Sequence, residues 1–248
     1  MLYFIKNVRL PWLIVTLLIF SLLLKLGFWQ LARAQQKQQR LNNIAQFAQH
    51  AALSLEQVLT IAHQKNHKSN NVNDLLVKVS GDFDANHVLL LDNQFNQGKI
   101  GYRVLQIFNA KSAALLVNLG WIPAGTNRQI LPIIKAISGF HTITGHVRIP
   151  ERGITLAQQQ YQQVQWPFRI QQVELDKISS LIGKQLLPFM IYLDKNEQLG
   201  FIKNWHPIVM LPEKHRAYAF QWFSLAIAWL ALMVWAAIKN NNKQGGMQ

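Results

Sequence analysis

Two long apolar runs, one near each end, restrict this chain more than anything between them. Leu10 to Leu24 is almost wholly apolar and resumes after Lys25 through Leu26-Gly27-Phe28-Trp29. Ala217 to Ile238 is polar only at Tyr218, Gln221 and Ser224. As a helix, each is long enough to cross a bilayer's hydrocarbon core, which takes about 20 residues. Only helices and closed barrels satisfy their backbone hydrogen bonds in lipid. The sequence therefore predicts two membrane helices, with both chain ends on one side and the long middle on the other. Lys25 lies near the outer end of the first run, where its stem can reach water, and Trp29 marks the interface. A competing reading is a cleaved leader ending at Ala32-Arg33-Ala34. The apolar stretch exceeds a usual leader core, and Trp29-Gln30 makes a poor approach to a cut, so a retained span is expected.

The 248 residues carry a formal charge of +14 and are 50% hydrophobic, much of it in the two runs. There is no cysteine, which excludes disulfides, thiolate metal sites and covalent c-type haem attachment. Lys and Arg are scattered and no nucleic-acid motif is present, so membrane lipids, not nucleic acid, are the expected partner of the positive charge.

Between the runs the periodicity changes. Gln30 to His50 has apolar residues at helical spacing and reads as a helix continuing out of the membrane. Ser54-Leu55-Glu56-Gln57 has the pattern of a capping box opening a helix to about Gln64. From Leu75 the apolar period is two. Strands are expected at Leu75–Phe83, Val88–Leu91, Gly101–Phe108, Ala113–Ile122, Phe140–Ile149, Trp166–Val173 and Phe189–Leu193. A short helix is expected over Arg128–Ala136, broken at Pro132, and another over Leu175–Ile182, stopped by Gly183. The fold class that follows is membrane α+β: a two-helix transmembrane hairpin carrying a large β-rich, barrel-like domain with a few helices.

Lys214-His215-Arg216 stands at the mouth of the second run. A helix N-terminus and the two flanking cations disfavour a charged imidazole, and neutral imidazole is the form that ligates metals. His215, Tyr218 and Trp222 fall on one face at helical spacing. An interfacial belt of aromatic and basic residues explains the same stretch, and the residues alone leave both readings open. Other candidates are thinner. His63 and His67 are four apart but lack an accompanying glutamate, Asp82 and Asp84 form a DxD beside turn residues, and His206 with Met210 hints faintly at copper. No nucleophile elbow, phosphate loop or dinucleotide fingerprint is present.

Leu26-Gly27-Phe28-Trp29-Gln30-Leu31-Ala32-Arg33 resembles the motif closing the first span of the surfeit locus protein 1 family. His215-Arg216-Ala217-Tyr218-Ala219-Phe220-Gln221-Trp222-Phe223 resembles the one opening its second span. Between them the order of Val79-Ser80-Gly81-Asp82-Phe83, Gly101-Tyr102-Arg103-Val104, Leu116 to Pro123, Gly145 to Pro150 and Trp166 is also similar. The resemblance implies a non-catalytic assembly factor for cytochrome c oxidase, acting at haem a delivery, with the catalytic subunit and haem a synthase as partners. It implies His215 as axial ligand of the haem iron. Tyr218 and Trp222 would then pack against the macrocycle, Lys214, Arg216 and Arg33 would meet propionates, and Trp29 and Gln30 would complete the cofactor-binding set. On the residues alone, Trp29 reads as an interfacial aromatic, and Gln30 and Gln221, polar at membrane depth, as hydrogen-bonding groups between the two helices. The resemblance further implies a bacterial inner-membrane protein: residues 1–9 cytoplasmic, spans at 10–29 and 213–238, a helical stalk and loop at 30–70, a periplasmic domain at 71–212 and a cytoplasmic tail at 239–248. Leu119 and Gln94 depart from the pattern, standing where the family commonly has Arg, and an Asp common after the strand Trp is missing near Ile170. The alternatives are a scaffold that holds an oxidase subunit without touching haem, and a membrane-anchored enzyme.

Overall fold

The computed structural model describes residues 10–48, 51–63, 72–150, 161 and 164–245. The chain divides into two compact units, Met1–Asn43 with Ile208–Gln248, and Ile44–Pro207.

The first unit is a pair of long helices. Helix α1 spans Leu10–Ala48 without a break, so the apolar run and the Gln-rich stretch after it are one helix. The last helix, α4, spans Pro212–Gly245. Both are long and apolar enough to cross a membrane, with mean hydropathy of 2.1 and 1.7 in their most apolar windows. Only 11% and 6% of those windows are buried, so neither is the sequestered core helix of a water-soluble fold. The helices run antiparallel: Trp229 meets Thr16, Phe223 meets Gly27 and His215 meets Gln30. The less exposed positions include Thr16, Phe20, Leu23, Gly27, Gln30 and Ala34 on α1, and His215, Ala219, Trp222, Ala226, Trp229 and Met233 on α4. Steps of four and three alternate along both series, the repeat of a left-handed coiled seam. Small residues bring the backbones close. Ala34, Ala219 and Ala226 are buried, and a Cβ on Gly27 would collide with the Phe223 ring. That ring also meets Phe28 edge-on at 5.2 Å. Gly27→Leu should therefore wedge the pair apart, costing about 1–3 kcal/mol as overpacking does. The check is a cross-linking yield between cysteines placed at positions 30 and 215, which should fall against the otherwise identical Gly27 parent.

The second unit is built on one mixed sheet. Helix α2 (Leu55–His63) opens on the predicted capping box: Gln57 N–H donates to Ser54 Oγ at 3.3 Å, and Ser54 N–H donates to Gln57 Oε1 at 2.8 Å. The strands are β1 (Leu76–Asn96), β2 (Lys99–Ala110), β3 (Ala114–Pro123), β4 (Gly139–Arg148), β5 (Phe168–Ile170) and β6 (Leu186–Leu193). Helix α3 (Leu175–Ile182) lies between β5 and β6 and ends, as expected, on Gly183 in the left-handed conformation. Strand order is β2-β3-β6-β4-β1-β5, and β1 also pairs with β2. The β3–β6 and β1–β5 pairs are parallel and the others antiparallel.

The expected β-rich, barrel-like domain is present, as one six-stranded mixed sheet in which β1 pairs with β2, β4 and β5. Two other expectations need correction. The two strands expected over 75–91 are a single strand, in which the turn-like residues after Phe83 form an irregularity in the register with β2 before Val88. No helix forms over Arg128–Ala136. Leu131, Ile134, Ala136 and Ile137 pack onto the core instead, in irregular backbone. Gln106, fully buried, holds that segment: its amide donates to the carbonyls of Ile137 at 2.6 Å and Asp84 at 3.0 Å, and its Oε1 accepts from Ile137 N–H at 3.2 Å.

The sheet has apolar packing on both faces. Val77, Val79, Tyr102, Val104, Phe108, Leu115, Val117, Leu119, Ile143 and Phe189 form the larger core, closed by Leu55 and Val58 of α2. Leu89, Leu105, Ile107, Leu116, Ile170 and Met190 form a smaller one with Ile178 of α3. Beyond β6, residues 201 and 202 return to β3, where Phe201 N–H donates to Leu119 O at 2.7 Å and Trp121 N–H donates to Ile202 O at 2.7 Å. Gly120 permits this approach. Its φ is +119°, and a Cβ there would lie 2.8 Å from the Phe201 carbonyl carbon.

Candidate functional site

Helix α4 begins where its sequence favours a start. Pro212 suits the first helical position, where no N–H partner is needed, and Glu213 complements the positive end of the helix dipole. His215 follows within that first turn and is only 9% exposed. A buried polar ring needs a partner, and Gln30 of α1 supplies it: His215 Nδ1–H donates to Gln30 Oε1 at 2.7 Å. Because an amide oxygen can only accept, the proton of a neutral ring is fixed on Nδ1 and the lone pair is left on Nε2. This is the arrangement that metal-ligating histidines use, with one nitrogen held by a carbonyl-type acceptor and the other open for coordination. Both residues lie just beyond the apolar runs of their helices, so the bond stands at one edge of the membrane-crossing length.

The other predicted residues lie around this pair. Arg216 is exposed and reaches Gln38 Oε1 at 3.4 Å and Glu213 at 3.9 Å. Trp29 is half exposed, with the Arg33 guanidinium 5.6 Å from its ring centre and Arg33 Nη1 donating to Gln36 Oε1 at 3.1 Å. Tyr218 is 45% exposed, whereas Trp222 is partly buried. The structure thus joins His215 to Gln30 and Arg33 to Trp29. Among the described residues, no hydrogen bond or ring contact joins Tyr218 or Trp222 to His215. The expected shared face is split because the helix seam follows 215, 219, 222 and 226, leaving Tyr218 on the flank. Gln30 is identifiable from its polarity at membrane depth, but no sequence signal names a partner 185 positions away.

The thinner candidates dissolve. His63 Nδ1–H donates to Leu59 O at 2.6 Å, within its own helix, and His67 lies outside the described residues. Asp82 is exposed, while Asp84 accepts from His87 Nδ1–H at 2.7 Å and from Asn86 N–H at 2.9 Å. Among the described residues no group of three or more His, Asp or Glu is placed to hold a metal ion. Partial burial pushes the Asp84 carboxyl up. The hydrogen bonds from His87 and Asn86, with the nearby positive charges, outweigh it and hold the group below its ordinary value of 3.8. A carboxyl more acidic in the folded state contributes stability that is complete above its ordinary value and is lost as the pH falls through its folded one. Acid unfolding of the sheet domain should therefore lose one component in Asp84→Asn, with the two proteins' stability curves converging below about pH 4.

These features coincide with a known pattern. A model described as the SURF1 family matches residues 17–227. The chain is also similar to a SURF1-like protein of Rickettsia felis, at 24% identity over 231 residues that cover 89% of this chain and 94% of that protein. This chain belongs to the SURF1 family. That family is one of cytochrome oxidase assembly factors. The matched segment holds both halves of the Gln30–His215 bond. Two of this SURF1-family chain's departures also gain a physical setting. Leu119 is 1% exposed in the larger core, where an arginine would place a charge among aliphatic side chains. Gln94 bridges locally, its amide donating to Asp92 O at 2.9 Å while its backbone carbonyl accepts from Trp121 Nε1–H at 2.9 Å.

Proposed function

We propose that this chain is a membrane-anchored, non-catalytic assembly factor for a haem-copper cytochrome c oxidase, and that His215 would hold haem a, as a ligand to its iron, before the cofactor reaches the catalytic subunit. The observation that supports this reading is the hydrogen bond from His215 Nδ1–H to Gln30 Oε1, which leaves Nε2 as the free donor. Haem, when bound, supplies an iron that accepts neutral imidazole. The chain's own residues do the remainder. Gln30 fixes the tautomer and the ring's orientation. Lys214, Arg216 and Arg33 place cations at the water edge, where carboxylates of a cofactor can be paired. Trp29 and Tyr218 present exposed aromatic surface beside an apolar span. The seam itself has no space for a macrocycle at Gly27, so the outer surface of the pair is the available side. In this reading the sheet domain is periplasmic, both termini are cytoplasmic, the membrane is the bacterial inner membrane, and haem a synthase and the oxidase catalytic subunit are the partners.

The test is genetic and spectroscopic. A strain lacking this protein should show reduced haem a in its oxidase, wild type should restore it, and His215→Ala should fail to do so while still co-purifying with the oxidase subunit. Full restoration by His215→Ala would remove the haem-ligand role and leave the scaffold role in its place.

A further inference from the structure

His146, Tyr192 and Asn118 are neighbours across β4, β6 and β3. The Trp205 ring lies 5.2 Å from Tyr192 and 5.8 Å from His146. Several charges in this cluster are matched. Asp194 meets His146 at 3.2 Å, and Arg148 bonds to Asp74 at 2.9 Å and stands 5.4 Å from the Trp205 ring centre. Two cations are not. Arg103 lies over the Tyr192 ring at 5.5 Å, with its Nε buried and without a hydrogen-bond partner. Lys203 is half-buried. Neither makes a hydrogen bond or ion pair to any described residue. Beside Tyr192 is a shallow, solvent-open cleft whose lining includes Asn118, Gly120, Lys203, Asn204 and Trp205, with Arg103 bordering Tyr192 outside that lining. Tyr192 belongs to both features: it walls the cleft and supports Arg103.

A desolvated guanidinium nitrogen without an acceptor is costly, and native folds seldom leave one so. We propose that this cleft receives a carboxylate carried by an acidic residue of a partner protein, with Arg103 and Lys203 as its charge partners and Tyr192 and Trp205 packing against its stem. A guanidinium carries a planar fork of donors that matches the two oxygens of a carboxylate. The chain's charge of +14 favours an acidic partner surface. Every residue involved lies in the sheet domain, so this inference does not depend on the haem-ligand proposal.

The full chain in zwitterionic lipid nanodiscs, at about 150 mM salt to screen diffuse attraction, is titrated with a fluorescein-labelled hexaglutamate peptide. The Arg103→Gln/Lys203→Gln double variant should bind about tenfold more weakly or worse, the loss expected for charge-assisted hydrogen bonds. Lys203→Gln alone, outside every strand, should show a smaller loss in the same direction with an unchanged far-UV spectrum. A control removing two exposed lysines, Lys99→Gln/Lys195→Gln, should stay within about twofold, because screened surface charge contributes little. Equal losses in both double variants, or no binding by wild type, would overturn the site. Succinate, a free dicarboxylate, is the second arm: failing to compete supports a protein-borne carboxylate, and competing as well as the peptide overturns that source.

Discussion

Replacing His215 by Ala should abolish the haem signature of protein purified from cells that make haem a, while the helical content stays at the wild-type level. The position is in the first turn of α4, where alanine is well tolerated and the seam already runs through Ala219 and Ala226. The fold therefore has little reason to fail, and the loss reports the ligand. Gln30→Leu is the sharper experiment. It leaves the imidazole in place but removes the acceptor that fixes its proton, and losing such an outer-shell partner typically costs about 10–100-fold in metal affinity. Gln30→Glu keeps an acceptor at that point and should retain most of the binding. The measurement is a haem titration followed by absorption near the Soret band. Wild-type affinity in Gln30→Leu would show that the bond only joins two helices.

The largest effect on stability is expected at Asp74. Its side chain is almost wholly buried, Arg148 Nη1 donates to its Oδ1 at 2.9 Å, and the arginine is itself mostly hidden. Asp74 also has a φ of +71°, a left-handed conformation that Asp and Asn tolerate better than most residues. Its backbone N–H donates to Val147 O at 2.8 Å, fastening the entry to β1 against β4. Asp74→Ala removes the carboxylate, leaves a buried cation short of its partner and puts a less suitable residue at that φ. Breaking a buried pair from one side costs about 3–5 kcal/mol, which for a domain of this size corresponds to a fall of roughly 6–20 °C in Tm. Asp74→Asn keeps an acceptor and the backbone tolerance, and should lose less than half as much. Differential scanning calorimetry of the two variants separates the charge from the conformation.

The sequence is most informative where one residue type has one physical reason to be present. The Ser54–Gln57 capping box and the Gly183 stop after α3 appear as local chemistry dictates, and the period-two stretches form strands, although Trp166–Val173 yields only Phe168–Ile170. Tertiary contacts decide the rest. Asp84-Ala85-Asn86-His87 has the composition of a turn, yet β1 continues through it, because Asp84 gathers hydrogen bonds from His87 and Asn86 and its carbonyl accepts from the buried Gln106. Arg128 to Ala136 has helical spacing, but Pro132 interrupts it, and the side chain of Arg128 is drawn to Asp92. At the candidate site, His215 can be singled out because a basic, aromatic segment opens an apolar run. Its register against Gln30 cannot, since antiparallel pairing is set by which small residues let the backbones meet. Trp205 is invisible for a similar reason: it lies in irregular chain after β6, where no period signals which face it will cover.

The closeness allowed by Gly27, Ala34, Ala219 and Ala226 confines each rod's contact with its mate to one narrow stripe. The rest of either circumference stays greasy and unclaimed. A transmembrane segment from another polypeptide can therefore lie alongside without prising the rods apart, and the imidazole would keep its amide companion throughout such a visit.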